Sequence, residues 1–91
     1  MANKFTSTLP VSNSRPVPHI VAVEPWGADF TLLPGESLDV IATGDKVEPW
    51  FQVVEDVGIS QVFCEDASSF EVTQDGVALE CGHKRQSSQL G

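Results

Sequence analysis

Four side chains in this sequence are soft metal ligands: His19, Cys64, Cys81 and His83. Four such groups would satisfy tetrahedral zinc, which takes sulfur and nitrogen donors. The spacing is poor for it. Cys81-Gly82-His83 is tighter than the usual paired-ligand spacing, and the other two ligands are isolated. A cupredoxin-like copper site needs two histidines, a cysteine and usually an axial methionine. The only methionine is Met1, and the Cys-to-His gap is too short for a ligand loop. Calcium asks for oxygens instead. Glu55-Asp56 and Glu65-Asp66 end consecutive strand-like segments, and Asp45 and Glu48 flank another loop. The EF-hand pattern of alternating acids, a central glycine and a terminal glutamate does not accompany them. A divalent cation at the acidic loops stays as an alternative, and no metal ligand set is assigned.

Signatures of catalysis are missing from the sequence. It has no Gly-x-Ser-x-Gly elbow, P-loop or dinucleotide fingerprint. Carboxylate pairs suited to glycoside cleavage arise by chance among thirteen acids in 91 residues. Neither an enzyme nor a cofactor is expected. Trp26 is the residue most suited to recognition. It sits in a Pro-Gly context at a strand end, and an exposed tryptophan among carboxylates and amides can hold a sugar or anchor a protein partner. The plainer alternative is that Trp26 and Trp50 cap the two ends of the core.

Charge bounds the partners. The net charge is -8, and all thirteen acids lie between Glu24 and Glu80, with Lys46 the one base among them. That segment therefore carries about -12, while Lys4, Arg15, Lys84 and Arg85 lie outside it. Nucleic-acid binding requires clustered Lys and Arg against phosphate, so nucleic acid is excluded as a partner. Anionic membrane surfaces are disfavoured for the same reason. A basic or neutral protein partner, or a second copy of the chain, remains. The N-terminus has no apolar run of signal-peptide length. Two cysteines without an export signal read as free thiols in a cytoplasmic setting.

The elements that must position these residues are strands. Apolar residues recur with a period of two in Phe30 to Leu32, Leu38 to Ala42, Ile59 to Phe63 and Phe70 to Val72. His19 to Glu24 is a β-branched run whose inward face the pattern leaves open. Trp50 to Val54 is dense enough in apolar groups to be covered on both faces. Strands of five to seven residues, spaced eight to twelve apart, predict an all-β fold: a small antiparallel sandwich or partly open barrel of about six to eight strands. The expected core is Ile20, Ala22, Phe30, Leu32, Leu38, Val40, Phe51, Val53, Phe63, Phe70, Val72 and Leu79. Residues 1-17 read as an extended arm with one short strand around Leu9 and Val11, residues 18-81 as the β domain, and 82-91 as a disordered tail.

Turn chemistry sharpens this division. Pro34-Gly35 suits a type II turn. Asp75-Gly76 between two alternating runs predicts a two-residue type I′ hairpin. Its register puts Gln74 opposite Val77, Val72 opposite Leu79 and Phe70 opposite Cys81, so the apolar residues share one face. The other face then brings Glu71 beside Glu80. Opposed like charges cost stability, which makes Glu71 and Glu80, with Trp26, the candidate contacts for a basic partner or cation. The tetrapeptide Val23-Glu24-Pro25-Trp26 recurs as Val47-Glu48-Pro49-Trp50, but the following residues differ, so the repeat reads as a shared strand-edge solution.

Glu24-Pro25-Trp26-Gly27, Pro34-Gly35-Glu36 and the strand-Asp-Gly-strand hairpin from Glu71 to Leu79 resemble segments of small bacterial single-domain β proteins. The resemblance covers about two thirds of the chain and implies the fold. That family has no assigned activity, so it implies no chemistry. The reading from sequence is a non-catalytic interaction or assembly module. Its alternative is a small-ligand module using Trp26 for sugar or the acidic loops for a cation.

Overall fold

The computed structural model describes residues 4–80. Eight strands follow in order: β1 Phe5–Ser12, β2 His19–Glu24, β3 Ala28–Leu32, β4 Ser37–Gly44, β5 Trp50–Asp56, β6 Ile59–Glu65, β7 Ser69–Gln74 and β8 Val77–Ala78. They form two four-stranded sheets, ordered β1-β4-β7-β8 and β3-β2-β6-β5. The fold is an all-β sandwich with no closed barrel. The strand expected around Leu9 and Val11 is present and spans eight residues along β4. One pairing departs from the antiparallel expectation: β2 lies parallel to β6, with Ile20 beside Ile59 and Glu24 beside Phe63. A parallel pair needs a long crossover, so turn signals, which report only local hairpins, give no sign of it. Among the described residues no helix is long and apolar enough to cross a membrane.

The turns form as their residues dictate. Asp75 and Gly76 take φ of +54° and +79°, the pair of positive values a type I′ turn requires. Gln74 pairs with Val77, Thr73 with Ala78, and the Leu79 amide donates to the Val72 carbonyl. The register read from sequence is therefore the one formed, though its Phe70–Cys81 pair lies outside the described residues. At Pro34-Gly35, Gly35 has φ of +85° and the Glu36 amide donates to the Leu33 carbonyl. The Glu36 carboxylate accepts the Leu33 amide in return.

Asn13 ties these turns to the sandwich. Its Nδ2 donates to the Val17 and Leu32 carbonyls at 2.8 and 3.0 Å, and its Oδ1 accepts the Arg15 amide. Its backbone bonds Glu36 and Gly35. The connection between β1 and β2 is thus held by a buried polar corner. Buried amides must be satisfied in this way, and Asn13 spends its side chain on three backbone groups.

The core consists of inward residues from both sheets: Val21, Val23, Ala28, Phe30 and Leu32 meet Leu38, Val40, Ala42 and Val72, with Val62 and Cys64 from β6. Leu9, Val11, Phe51, Phe70 and Leu79 pack around them half-buried. Three expected core members are not there. Ile20 is exposed and Phe63 only half-buried, because β2 and β6 turn the neighbouring residues Val21 and Val62 inward. Val53 faces inward but is 45% exposed, because β5 is the last strand of its sheet. The expectation that β5 is covered on both faces fails for that reason: every β5 residue except Phe51 is exposed. Ala22, by contrast, points outward from the sheet but is small enough to be buried between its neighbours.

Candidate functional site

Alternation gives the two sheets different outer faces. The face of β1-β4-β7-β8 is polar, with Thr6, Thr8, Ser12, Asp39, Thr43, Ser69, Glu71 and Thr73 around the single large apolar residue Ile41. The face of the other sheet carries Ile20, Ile59, Phe63, Val54 and Trp50. Ile20 sits beside Ile59, and Phe63 lies between Glu24 and Gln52. Between these apolar groups stand Glu24, Asp29, Asp56 and Glu65, and no lysine or arginine shares the face. It runs into β5, where Val54 is 50% exposed and Val57 at the following turn is almost fully exposed.

Edge strands are normally blunted, because unpaired amides and carbonyls invite another chain. β1 contains Pro10, β8 has two residues and β3 has five. β5 has seven, no proline and four apolar side chains. Its one protective device is Glu55, which points inward and takes Arg15 Nη2 at 3.2 Å on the surface. Exposed pairs of this kind contribute about 0–1 kcal/mol, so Trp50 to Val54 remains open.

The residues singled out from sequence are placed apart. Trp26, 38% exposed, stacks on Phe70 with ring centroids 4.5 Å apart and 29° between planes. That contact bridges the two sheets and leaves Trp26 partly exposed. Glu71 lies on the polar outer face opposite Ile41. Glu80 is exposed and lies beyond β8, which ends at Ala78. Trp50 occupies the outer face opposite Glu65 and donates Nε1–H to Asp66 at 3.0 Å. The tryptophans do not cap opposite ends. Glu24, one turn before Trp26, pairs with Phe63, and Trp50 pairs with Glu65, so both lie at the same end. The shared tetrapeptide serves two different jobs there.

No three His, Cys, Asp or Glu side chains gather among the described residues. Cys81 and His83 lie outside them, as does the 82-91 tail. Of the acidic loop residues, Asp45 pairs with Lys4 and Asp66 takes the Trp50 indole. Cys64 is buried, and loss of solvent, helped by Glu65, pushes its thiol up to about 11. Its thiolate fraction at pH 8 is then about 100-fold below that of a thiol at 9.0. In a Cys81→Ser background, native protein should react with a thiol reagent at least about 100-fold more slowly than urea-unfolded protein. Rapid native labelling would contradict the burial of Cys64.

His19 and Ser60 are the polar pair that sequence reading missed. Both are buried on the inner face, with His19 Nε2 2.8 Å from Ser60 Oγ. The distance suits a serine nucleophile and its base, but both side chains are closed off from solvent and His19 Nδ1 has no partner. They form a buried tie between β2 and β6. Burial, assisted by Arg15 and opposed by Glu55, holds the His19 pKa below 6.5. A histidine depressed in the folded state leaves stability intact above the unfolded pKa. Below pH 6.5 the unfolded chain takes a proton that the folded chain refuses, so stability falls until pH passes the folded value. Urea melts between pH 8 and 5 should show this loss, reduced in His19→Gln. An equal loss in the variant would assign it to other groups.

No family model, curated protein or solved structure matches this chain.

Proposed function

We propose that the protein is a non-catalytic interaction module, and that it meets its protein partner with the outer face of the β3-β2-β6-β5 sheet. One observation carries this reading: an outer face that sets Ile20, Ile59, Phe63, Val54 and Trp50 among acids and glutamines ends on the exposed edge strand β5. Contiguous apolar surface rimmed by polar groups is how binding faces differ from ordinary protein surface. The opposite outer face, rich in threonine and serine, supplies the contrast within one molecule. A non-catalytic role is supported by the closure of the His19–Ser60 pair away from solvent. A reducing, cytoplasmic setting fits the free, buried Cys64 thiol.

The experiment compares the two faces. A photo-cross-linking phenylalanine analogue is placed at Phe63 in one variant and at Thr8 in another, and each is irradiated in cells. The expected result is a discrete adduct from position 63 and none from position 8. Adducts from both positions, or from position 8 alone, would remove the basis for this face.

A further inference from the structure

We infer that the occupant of the β5 edge is a basic, extended segment of another protein, which joins β5 as an added strand. This rests on the interaction reading above and gives it a partner chemistry. Strand addition needs a sheet edge whose new neighbour would cover exposed apolar surface. Among the described edge strands, β5 offers that over the longest run without proline. Every second residue between Trp50 and Asp56 turns its amide and carbonyl away from β6, as any edge strand must. On the inner side, a strand laid beside β5 would cover Val53, which faces inward but stays 45% exposed. On the outer side it would lie beside Trp50, Gln52, Val54 and Asp56. At β3 the inner side chains Ala28, Phe30 and Leu32 are already buried, so addition there would gain little.

Charge selects the occupant. Glu48, Glu55 and Asp56 lie on or next to β5, and Glu65 stands opposite Trp50. The nearest base, Arg15, is already paired with Glu55. The chain carries thirteen carboxylates against five Lys and Arg, a net charge of -8. A second copy would bring an equal charge to the same edge, which like-charge repulsion opposes. A segment alternating Lys or Arg with Val or Ile complements it. Its apolar side chains point inward over Phe51 and Val53, and its bases point outward, laying their aliphatic stems along Trp50 and Val54 and their charge beside Asp56.

The test uses an acetylated, amidated octapeptide of alternating lysine and valine. A peptide with the same residues in two blocks serves as control. Backbone amide exchange of the full chain is followed with and without peptide. The expected result is protection of alternate β5 amides by the alternating peptide and not by the block peptide. Affinity should weaken about tenfold or more between low and high salt, because the attraction is screened. Val53→Lys should abolish the protection and Thr8→Lys on β1 should leave it. Protection along β1, no protection of β5, or equal effects of both peptides would overturn the proposal. So would β5 protection that grows with protein concentration alone, since that assigns the edge to a second copy. If position 63 cross-links a partner but the peptide leaves β5 unprotected, strand addition fails while the interaction reading stands.

Discussion

Val62→Asp should unfold the protein, and Phe63→Asp, one residue along the same strand, should leave it folded. Val62 is 0% exposed at the centre of the core. A carboxylate there loses its water and finds neither a cation nor a donor among the side chains of Val21, Val23 and Phe30. The penalty for an unpaired buried charge is several kcal/mol, and the lost valine packing adds about 1–2 kcal/mol. A domain of this size is stable by about 5–10 kcal/mol in all, so most of that stability is consumed. Phe63 points to the other side, where a new carboxylate keeps its solvent. It loses contact with its outer-face neighbours and gains repulsion from Glu24, a cost of about 1–2 kcal/mol. Circular dichroism melts of both variants read the difference. Similar losses would mean that β6 has no inner and outer side.

Gly44→Ala is expected to cost about 2–3 kcal/mol and lower the melting temperature by roughly 10–20 °C. Gly44 closes β4 where the loops after β4 and after β6 fold over it. A methyl group there would meet the Val47 carbonyl oxygen, the Asp66 carbonyl oxygen at 2.8 Å and Pro49 Cδ at 3.3 Å. Two of these atoms are backbone and cannot rotate away, so both loops must shift. The backbone of Gly44 is ordinary, with no positive φ, so the requirement is for space alone. Moving these loops also disturbs Ser68, whose amide and hydroxyl both donate to the Thr43 carbonyl. A serine at position 44 should behave no better than alanine. A variant melting within 2–3 °C of the parent would show that the loops yield freely.

What the sequence makes legible depends on how local the cause is. The Asp75-Gly76 hairpin is readable because two residues set the turn and the apolar alternation checks the register. Pro34-Gly35 is readable for the same reason. The facing of β2 is not, since His19-Ile20-Val21-Ala22-Val23 is apolar or small at nearly every position and supplies no contrast. In β6, Phe63 looks like core because it is the largest residue. The inner face between the sheets instead takes Val62 and Cys64, and that choice depends on β2 lying alongside in parallel. β5 looks doubly buried because Trp50, Phe51, Val53 and Val54 are crowded together. Its position as the outer strand is a matter of topology, which composition does not carry.

The candidate site is legible in chemistry and illegible in place. The acidity that favours a basic partner is plain in the residue counts. Trp26, Glu71 and Glu80 stand out in the sequence through unusual local contexts, yet the fold puts Glu71 on the polar side and sets Trp26 against Phe70. The apolar outer face is assembled from Ile20, Ile59, Phe63 and Val54, each unremarkable in its own segment. A usable signal does exist: runs with apolar residues in both phases, such as Ile20 to Val23 and Ile59 to Cys64, mark a sheet that is apolar on both sides. Asn13 has a signal too, since an asparagine just after a strand and before Pro16 and Pro18 is well placed to bond backbone that the prolines cannot serve.

Native-state amide exchange of the protein alone tests most directly whether β5 is an uncovered edge beside a well-formed sheet. Amides of β2 and β6 should exchange slowest, while alternate amides from Trp50 to Asp56 exchange at nearly the rate of loops. Uniform slow exchange along β5, equal to that of β6, would mean that the edge is already occupied, and the interaction surface described above would not exist.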